Sequence, residues 1–587
     1  MSGILPHDLN PKQLEAATAP SGPLLITAGA GSGKTKTLTS RLLHFISNDI
    51  PPEEIVSITF TNKAANEMKE RASRLLESKG FTDKSPVIGT FHSFAAKILR
   101  EEAHLLGRTR GFTIFDDDDT EKTIKRILKE KDVDPKKYPP SVLKNRFSKI
   151  KSELADPFGF EDQKIGLLFN HYEESVKRQN AFDFDDLIQK LLLLLEENAD
   201  VRKKYHERYK HFLVDEYQDV NTAQYRLVKL LASKYRDLSV VGDDHQSIYA
   251  FRSADFRNFL NFEKDYPDAK IITLDQNYRS TGNIVGASSA LISTNKFQRP
   301  KKLWTANETG EEIKIVGFYS PDEEAEWVAS CLSMDDWASS AILYRTNAQS
   351  RVIEQALISA EVPYLIFGGL RFYDRKEIKD LVAALKYAVN PLDESSKDRL
   401  LKEFRKTVIR PLIEKIPSMG ETLSPLEFLG FFLKETNYLA YLKVDFKNFE
   451  DRLENIEELL KYAANFTSLP EFLEKITLLQ STDQPKGSAG PAVKLMTIHM
   501  AKGLEFDSVY IVGASEGLIP HERAIFREED VEEERRLMYV AMTRAKKRLS
   551  IGFFGHPSRF LYEIPSEFVS FENFSSHNPD EDSIYLD

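Results

Sequence analysis

Two stretches of the chain repeat one pattern, in which a short apolar strand runs into a polar loop and then usually into a segment with helical spacing. The first stretch comes in pieces: "PLLITAGAGSGKT", "VSITFTNKAANEM", "PVIGTFHSFAAKIL", "FLVDEYQDV" and "LSVVGDDHQS". The second is built alike from "IKIVGFY", "SAILYRT", "PYLIFGG", "VKLMTIHMAKG", "SVYIVGA" and "RLSIGFF". Short apolar strands alternating with helical segments predict α/β domains, parallel sheets flanked by helices. Between Ile98 and Asp185 the pattern turns charged and helical. It does so again between Ser395 and Pro491, ending in the linker-like "STDQPKGSAGP". The predicted fold class is α/β, with two parallel-sheet domains each interrupted by a mainly helical insertion. The boundaries read from the pattern are 1–100 with 185–277 for the first domain and 101–184 for its insertion. The second domain takes 278–395 with 490–572, its insertion 396–489, and an acidic tail covers 573–587.

Composition narrows the classes. A chain of 587 residues with 41% hydrophobic residues exceeds what one core holds. The lone cysteine, Cys331, rules out a disulfide framework and suits a reducing compartment. The N-terminus lacks a signal pattern, and the longest apolar run, "LIQKLLLLL" (Leu187–Leu195), falls short of the roughly 20 residues a membrane span needs. The expectation is a soluble, cytoplasmic protein without membrane contact. A net charge of −11 argues weakly against nucleic acid, but the charge is locally sorted. "DDDD" (Asp116–Asp119) and "REEDVEEE" (Arg527–Glu534) are acidic, whereas "KRILKEKDVDPKK" and "LKNRFSKIK" are basic. Each block is also what a solvated helix face gives.

Two motifs carry chemistry on their own. "AGAGSGKT" (Ala28–Thr35) follows an apolar strand and opens a helix. Its glycines let backbone N–H groups curl around phosphate at the helix N-terminus, Lys34 reaches the β/γ-phosphates, and Thr35 places a hydroxyl on Mg²⁺. "FLVDEYQD" (Phe212–Asp219) ends a buried strand in adjacent carboxylates. Asp215 suits a metal contact, and Glu216 can orient and deprotonate an attacking water. Together they indicate nucleoside triphosphate hydrolysis and say nothing of its use. "LDQNYRST" adds Tyr278 and Arg279, a stacking ring beside a guanidinium, and Arg544 follows a helical run, free to act as an arginine finger.

With "LNPKQLEA", "ITFTNKAANEM", "GTFHSF", "FDFDDL", "VVGDDHQSIYAFRSAD", "LYRTNAQSR", "GGLRFYDRKEIKD", "MTIHMAKGLEF" and "EEERRLMYVAMTRAKKRL" in this order, the chain resembles the UvrD/Rep/PcrA group of superfamily 1 DNA helicases over nearly its whole length. The resemblance implies two RecA-like motor domains and an ATP- and Mg²⁺-dependent motor. It would move 3′→5′ on single-stranded DNA, act at single-strand/duplex junctions, and serve repair or replication restart as a monomer or weak dimer. It also implies site residues. Gln13 would read adenine, and Ala28, Gly29, Ala30, Gly31, Ser32, Gly33, Lys34, Thr35 and Lys36 would cradle the triphosphate. Thr35 and Asp215 would hold the metal, and Glu216 the water. Gln246 would sense the γ-phosphate, Arg279 and Arg544 would pair with it from the second domain, Tyr278 would stack on the base, and Glu505 would contact the ribose. Phe60, Thr61, Asn62, His92, Tyr249, Phe251, Arg252 and His499 would line the DNA track, where stacking tolerates any base.

The chain also departs from that group. Its second insertion is short and lacks the glycine-containing duplex-binding hairpin, with "EFRKTVIRPLIEKIPSMG" in its place. "LSIGFFGHPSRFLYEIP" leaves almost no room for the wedge hairpin after the arginine-finger helix, so that only Phe553 and Phe554 remain as a stub. His245 stands where an acidic residue is usual, and Ser253 where glycine is. The expectation is robust translocation with weak unwinding by a monomer. A translocase that strips proteins from single strands is the alternative. A nucleotide-switched binding module, a small-molecule kinase and a nuclease fusion fit the residues less well.

Overall fold

The computed structural model describes residues 8–78, 84–332, 337–367, 372–391, 393–420, 422–446, 448–473, 476 and 491–573. The loop "GGLR" (368–371), most of the linker (481–490) and the acidic tail from 574 lie outside the described residues. The chain divides into two compact units, Met1–Arg279 with Asn295–Asn307, and Ser280–Thr294 with Glu308–Asp587.

In the first unit six parallel strands form the sheet: β1 (Leu24–Ala28), β2 (Ile55–Thr59), β3 (Val87–Thr90), β6 (His211–Val214), β7 (Asp237–Gly242) and β8 (Lys270–Leu274), in the order β3-β2-β6-β7-β1-β8. Every pairing is parallel, for instance Leu25 opposite Val240 and Ile58 opposite Val214. Successive side chains of a strand feed opposite faces. Leu24 and Ile26 join the core with Leu38, Leu42 and Met68, while Leu25 joins Phe94, Leu191 and Phe212 on the other face. That double burial is why these strands are mostly apolar. The insertion contributes the small pair β4 (Thr113–Phe115) and β5 (Ala181–Asp183) and the helices Asp117–Glu130, Pro140–Glu153 and Gln163–Arg178, which close a core around Phe147, Phe169 and Tyr172. Two further short strands, β9 (Gln276–Asn277) and β10 (Trp304–Thr305), pair in parallel.

The second unit holds a seven-stranded parallel sheet: β11 (Ile313–Phe318), β12 (Ser340–Tyr344), β13 (Tyr364–Ile366), β14 (Val493–Thr497), β15 (Phe506–Ile511), β16 (Ala545–Phe554) and β17 (Val569–Asn573), ordered β13-β14-β12-β15-β16-β11-β17. Its insertion is helical and has a core of its own, running from Phe372 and Ile378 through Phe428 and Phe432 to Leu459. That core takes in the helix Lys376–Val389, ahead of the boundary at 396 read from the sequence. Two α/β units, each with a helical insertion, are the predicted fold class. Three further placements differ from the sequence reading. Tyr278 and Arg279 belong to the first unit, because the division falls after Arg279. Asn295–Asn307, assigned by sequence to the second domain, packs with the first. Phe553 and Phe554 do not form a stub, since both are in β16, paired with Gly317 and Phe318 of β11.

Candidate nucleotide and nucleic-acid sites

The phosphate loop leaves the carboxyl end of β1, where open parallel sheets bind ligands. The helix Lys34–Ser47 starts at Gly33, whose φ of 80° and ψ of 35° lie in the left-handed region that glycine enters without strain. A Cβ there would come within 2.8 Å of the Gln13 amide nitrogen, so the tight fit as well as the turn requires glycine. Thr35 donates its hydroxyl to Asp215 Oδ2 at 2.8 Å, and the Glu216 N–H binds Asp215 Oδ1 at 2.9 Å. Burial first, and then the neighbouring Glu216 charge, push the Asp215 carboxyl up to about 7, against the pull of Thr35 and Lys34. Glu216 takes φ 50° and ψ 43°, in the left-handed region.

From Glu216 a hydrogen-bonded path crosses to β7. Gln218 Nε2 donates to Glu216 Oε2 at 2.6 Å, while its side-chain oxygen Oε1 accepts the Asp243 N–H at 2.9 Å. Gln246 donates to Asp243 Oδ2 at 2.6 Å, and Lys34 Nζ lies 3.9 Å from the same oxygen. Burial raises the Asp243 carboxyl, but Lys301 and then Lys34 outweigh it and hold the group well below the usual carboxylate range.

Gln13 caps its own helix, Pro11–Ala17, in a reciprocal box with Asn10, and donates to Ser32 O at 2.9 Å. The end of that helix is tied down by Arg41, which bonds Ala19 O at 2.7 Å and Ser239 Oγ at 2.7 Å. Burial lowers its guanidinium to about 10. Lys36 pairs with Asp8 at 2.5 Å. Tyr278 donates its N–H to Gly31 O at 2.9 Å, and its hydroxyl accepts from Asn10 at 2.7 Å. A Cβ on Gly31 would meet Arg279 Cβ at 2.8 Å. The segment carrying Tyr278 and Arg279 therefore docks on the phosphate loop within the first unit, and Arg279 is not supplied by the second.

Aromatic rings gather at the same strand ends. Phe60, just beyond β2, stacks on Tyr249 at 5.6 Å and 13°, and Tyr249 meets Phe251 edge-on at 5.9 Å. Phe251 is 66% exposed, so it is not a core aromatic. Ser253 closes this turn at φ 61°, which explains why glycine is usual there. Thr61 is exposed and caps the start of the next helix, accepting the Ala64 N–H at 3.2 Å. Asn62 opens that helix, Asn62–Ser78, and Arg252 ends a short turn, but the side chains of both lie outside the described residues. His92 meets Phe184 edge-on at 5.5 Å, and burial lowers the pKa of its imidazole.

In the second unit, Glu505 is exposed and pairs with Lys546 at 2.9 Å. His499 is half-buried on the short helix Ile498–Ala501. Arg544 is not free as the sequence reading held. Its guanidinium donates to Val540 O at 2.9 Å, Leu504 O at 3.1 Å and Thr543 Oγ1 at 3.1 Å. Arg345 holds Glu534 of the helix leading to Arg544 through two nitrogens, at 3.1 and 2.8 Å.

Residues 9–267 match the family model of the UvrD/REP helicase N-terminal domain. Residues 272–437 and 433–555 match that of the UvrD-like helicase C-terminal domain. The chain belongs to the UvrD-like helicase family. It is 39% identical to the ATP-dependent DNA helicase PcrA of Staphylococcus aureus (strain Mu50), over 98% of this chain and 88% of that protein. It is 38% identical to the protein of the same name from Staphylococcus epidermidis (strain RP62A), over 96% and 87%. Membership makes it an ATP-hydrolysing DNA helicase. No described helix is long and apolar enough to cross a membrane.

Sequence reasoning missed four residues of this UvrD-like helicase. Asp243 and Gln218 lie inside quoted motifs, but only the fold shows that they join Glu216 to Gln246. Lys301 sits outside every motif, in a segment assigned to the other domain. Phe184 lay within "FDFDDL", and its 54% exposure at a helix start is a signal that apolar patterning hides.

Proposed function

We propose that this UvrD-like helicase couples Mg²⁺-dependent ATP hydrolysis to 3′→5′ movement along single-stranded DNA. One observation carries the reading. The hydrogen-bonded path Glu216–Gln218–Asp243–Gln246 and the ring cluster Phe60–Tyr249–Phe251 arise from loops at the same edge of one sheet, with only two residues between Gln246 and Tyr249. Thr35 and Asp215 are hard oxygen donors already in contact, which suits Mg²⁺. The metal's chemistry is to neutralise charge on the phosphates. Lys34 binds the β/γ-phosphates, Glu216 orients the attacking water and takes its proton, and Gln246 registers the γ-phosphate. Gln13 reads adenine with the remaining N–H and lone pair of its amide, and Tyr278 offers its ring to the base. Glu505 contacts the ribose, and Arg279 and Arg544 pair with the γ-phosphate. Arg544 exchanges backbone carbonyl partners to do so. Phe60, Thr61, Asn62, His92, Tyr249, Phe251, Arg252 and His499 line the track, joined by Phe184. Base stacking on such rings contributes about 1–3 kcal/mol per base without sequence preference.

The test is ATP turnover with and without an oligonucleotide. Turnover should rise with DNA and be lost in Lys34→Ala. Glu216→Gln should keep ATP binding and lower kcat by about 100-fold or more. Turnover indifferent to DNA, or surviving in Lys34→Ala, would refute the reading. Duplexes with 3′ or 5′ tails test polarity.

A further inference from the structure

Lys301 is the buried cation that the phosphate site had not accounted for. Its side chain is 1% exposed, and Nζ lies 2.6 Å from Asp243 Oδ1 and 2.6 Å from Asp244 Oδ1, with Ala28 O at 3.3 Å. It arrives on Asn295–Asn307, a stretch that packs on the first unit although the chain on either side of it belongs to the second. The stretch is well anchored. The Arg299 N–H binds Asp244 Oδ2 at 2.7 Å, Trp304 N–H binds Asp275 O at 3.1 Å, and a Cβ on Gly29 would sit 2.3 Å from Leu303 Cδ2.

We infer that Lys301 is a positioning residue of the nucleotide site, holding Asp243 so that Lys34 stays available to phosphate and Gln246 stays aimed. The inference rests on the reading of Lys34 and Gln246 given above. Asp243 spends Oδ1 on Lys301 and the His245 N–H, and Oδ2 on Gln246, while Lys34 stands at 3.9 Å, beyond hydrogen-bond reach. Removing the Lys301 charge leaves two buried carboxylates, Asp243 and Asp244, without their shared cation, with Asp243 facing Lys34. An unpaired buried charge is far costlier than a paired one, so Asp243 would draw Lys34 into a direct ion pair in competition with ATP. The arrangement thus keeps Lys34 near an acid without surrendering it.

The experiment compares three full-length proteins in DNA-stimulated ATP turnover and in binding of a fluorescent ATP analogue. In Lys301→Met, KM and the analogue's Kd should rise at least about 10-fold and kcat should fall. In Lys301→Met/Asp243→Asn/Asp244→Asn no buried charge is left unpaired. KM and Kd should return to within about 3-fold of the parent, while kcat stays at least about 5-fold down because Gln246 has lost its charged acceptor. A purely structural role would move folding, not this split between KM and kcat. Should Lys301→Met fail to fold, the triple variant decides alone. Recovered KM with low kcat supports the inference, and either raised KM or wholly parental kinetics overturns it. The parent's own DNA-stimulated turnover, measured alongside, tests the reading of the site separately from the clasp.

Discussion

At the scale of single residues, the site divides by how far apart its partners lie in the chain. Lys34, Thr35, Asp215 and Glu216 are legible because each belongs to a short contiguous motif whose backbone conformation is its function. Lys301 and Asp243 are 58 residues apart and Glu324 and Gly513 are 189 apart, so no local pattern announces either pair. Glu324 reads in sequence as one more acid in the first turn of the helix Pro321–Leu332. In the fold it is buried and accepts the Gly513 N–H at 2.8 Å, and a Cβ on Gly552 would meet its carboxylate at 2.2 Å. Burial pushes its carboxyl up to about 8 from an ordinary 4.5, although the Gly513 hydrogen bond pulls the other way. The sign follows from linkage. A carboxyl that holds its proton more tightly when folded is lost as a source of stability as pH rises from 4.5 through about 8, because the unfolded chain ionises first. Glu324→Gln keeps the acceptor and removes the titration. Urea unfolding of the full chain, followed by exchange protection of the Gly513 amide, should find the variant at least about 2 kcal/mol more stable than the parent at pH 8. At pH 5 the two should differ by less than about 1 kcal/mol. Parallel pH profiles for the two proteins would count against the assignment.

At the scale of elements, the helical insertion of the first unit is fastened by a buried charge cluster. Lys151, on the helix Pro140–Glu153, is fully buried and reaches Asp183 and Glu173 at 2.7 Å and Asp186 at 2.8 Å. Burial works against its charge, but Asp183, then Asp186 and Glu173, keep its pKa raised well above the ordinary lysine value. Three helices meet there, because Glu173 lies on Gln163–Arg178, and Asp183 caps Phe184–Glu197 in a reciprocal box with Asp186. The motif "FDFDDL" was visible in sequence, yet only the fold explains its spacing. Asp183 and Asp186 serve the cap and the lysine together, and the first residue of the helix after the cap is the exposed Phe184. Breaking one member of a buried charge cluster typically costs about 3–5 kcal/mol. Lys151→Met should therefore open residues 117–178 to protease at lower urea than the parent. It should also weaken single-strand binding about 3-fold or more, because Phe184 loses its fixed helix start. Unchanged protease resistance would mean that the cluster is dispensable. Lost resistance with unchanged DNA affinity would separate Phe184 from the track.

At the scale of the whole molecule, the two-unit α/β plan was readable because double burial makes parallel strands mostly apolar. The assignment of chain to units was less so. The polypeptide passes between units after Arg279, after Thr294 and after Asn307, and nothing in composition marks these crossings. The crossings matter because Lys301 and Tyr278–Arg279, on two of the joined segments, both bear on the phosphate loop. The expectation that the chain leaves almost no room for a wedge hairpin rested on length alone. β16 runs to Phe554 within the sheet, and the chain then passes through the short turns Arg559–Glu563 and Ser566–Phe568 into β17. Phe553 and Phe554 are held in strand register against Gly317 and Phe318, in a strand that lies between β15 and β11, so driving them between base pairs would part β16 from its neighbours. The expectation carried from the sequence is a motor that moves along a strand faster than it parts strands, and it has a direct test. Under single-turnover conditions with one protein per DNA, translocation along a 3′-tailed single strand should outpace unwinding of a 3′-tailed duplex by at least about 10-fold. An added terminal mismatch at the junction should recover much of the difference, since it removes the base-pair opening that the protein does not assist. Monomeric unwinding as fast as translocation on a fully paired junction would place the strand-separating element elsewhere on the molecule and would make Phe553→Ala and Phe554→Ala silent in both assays.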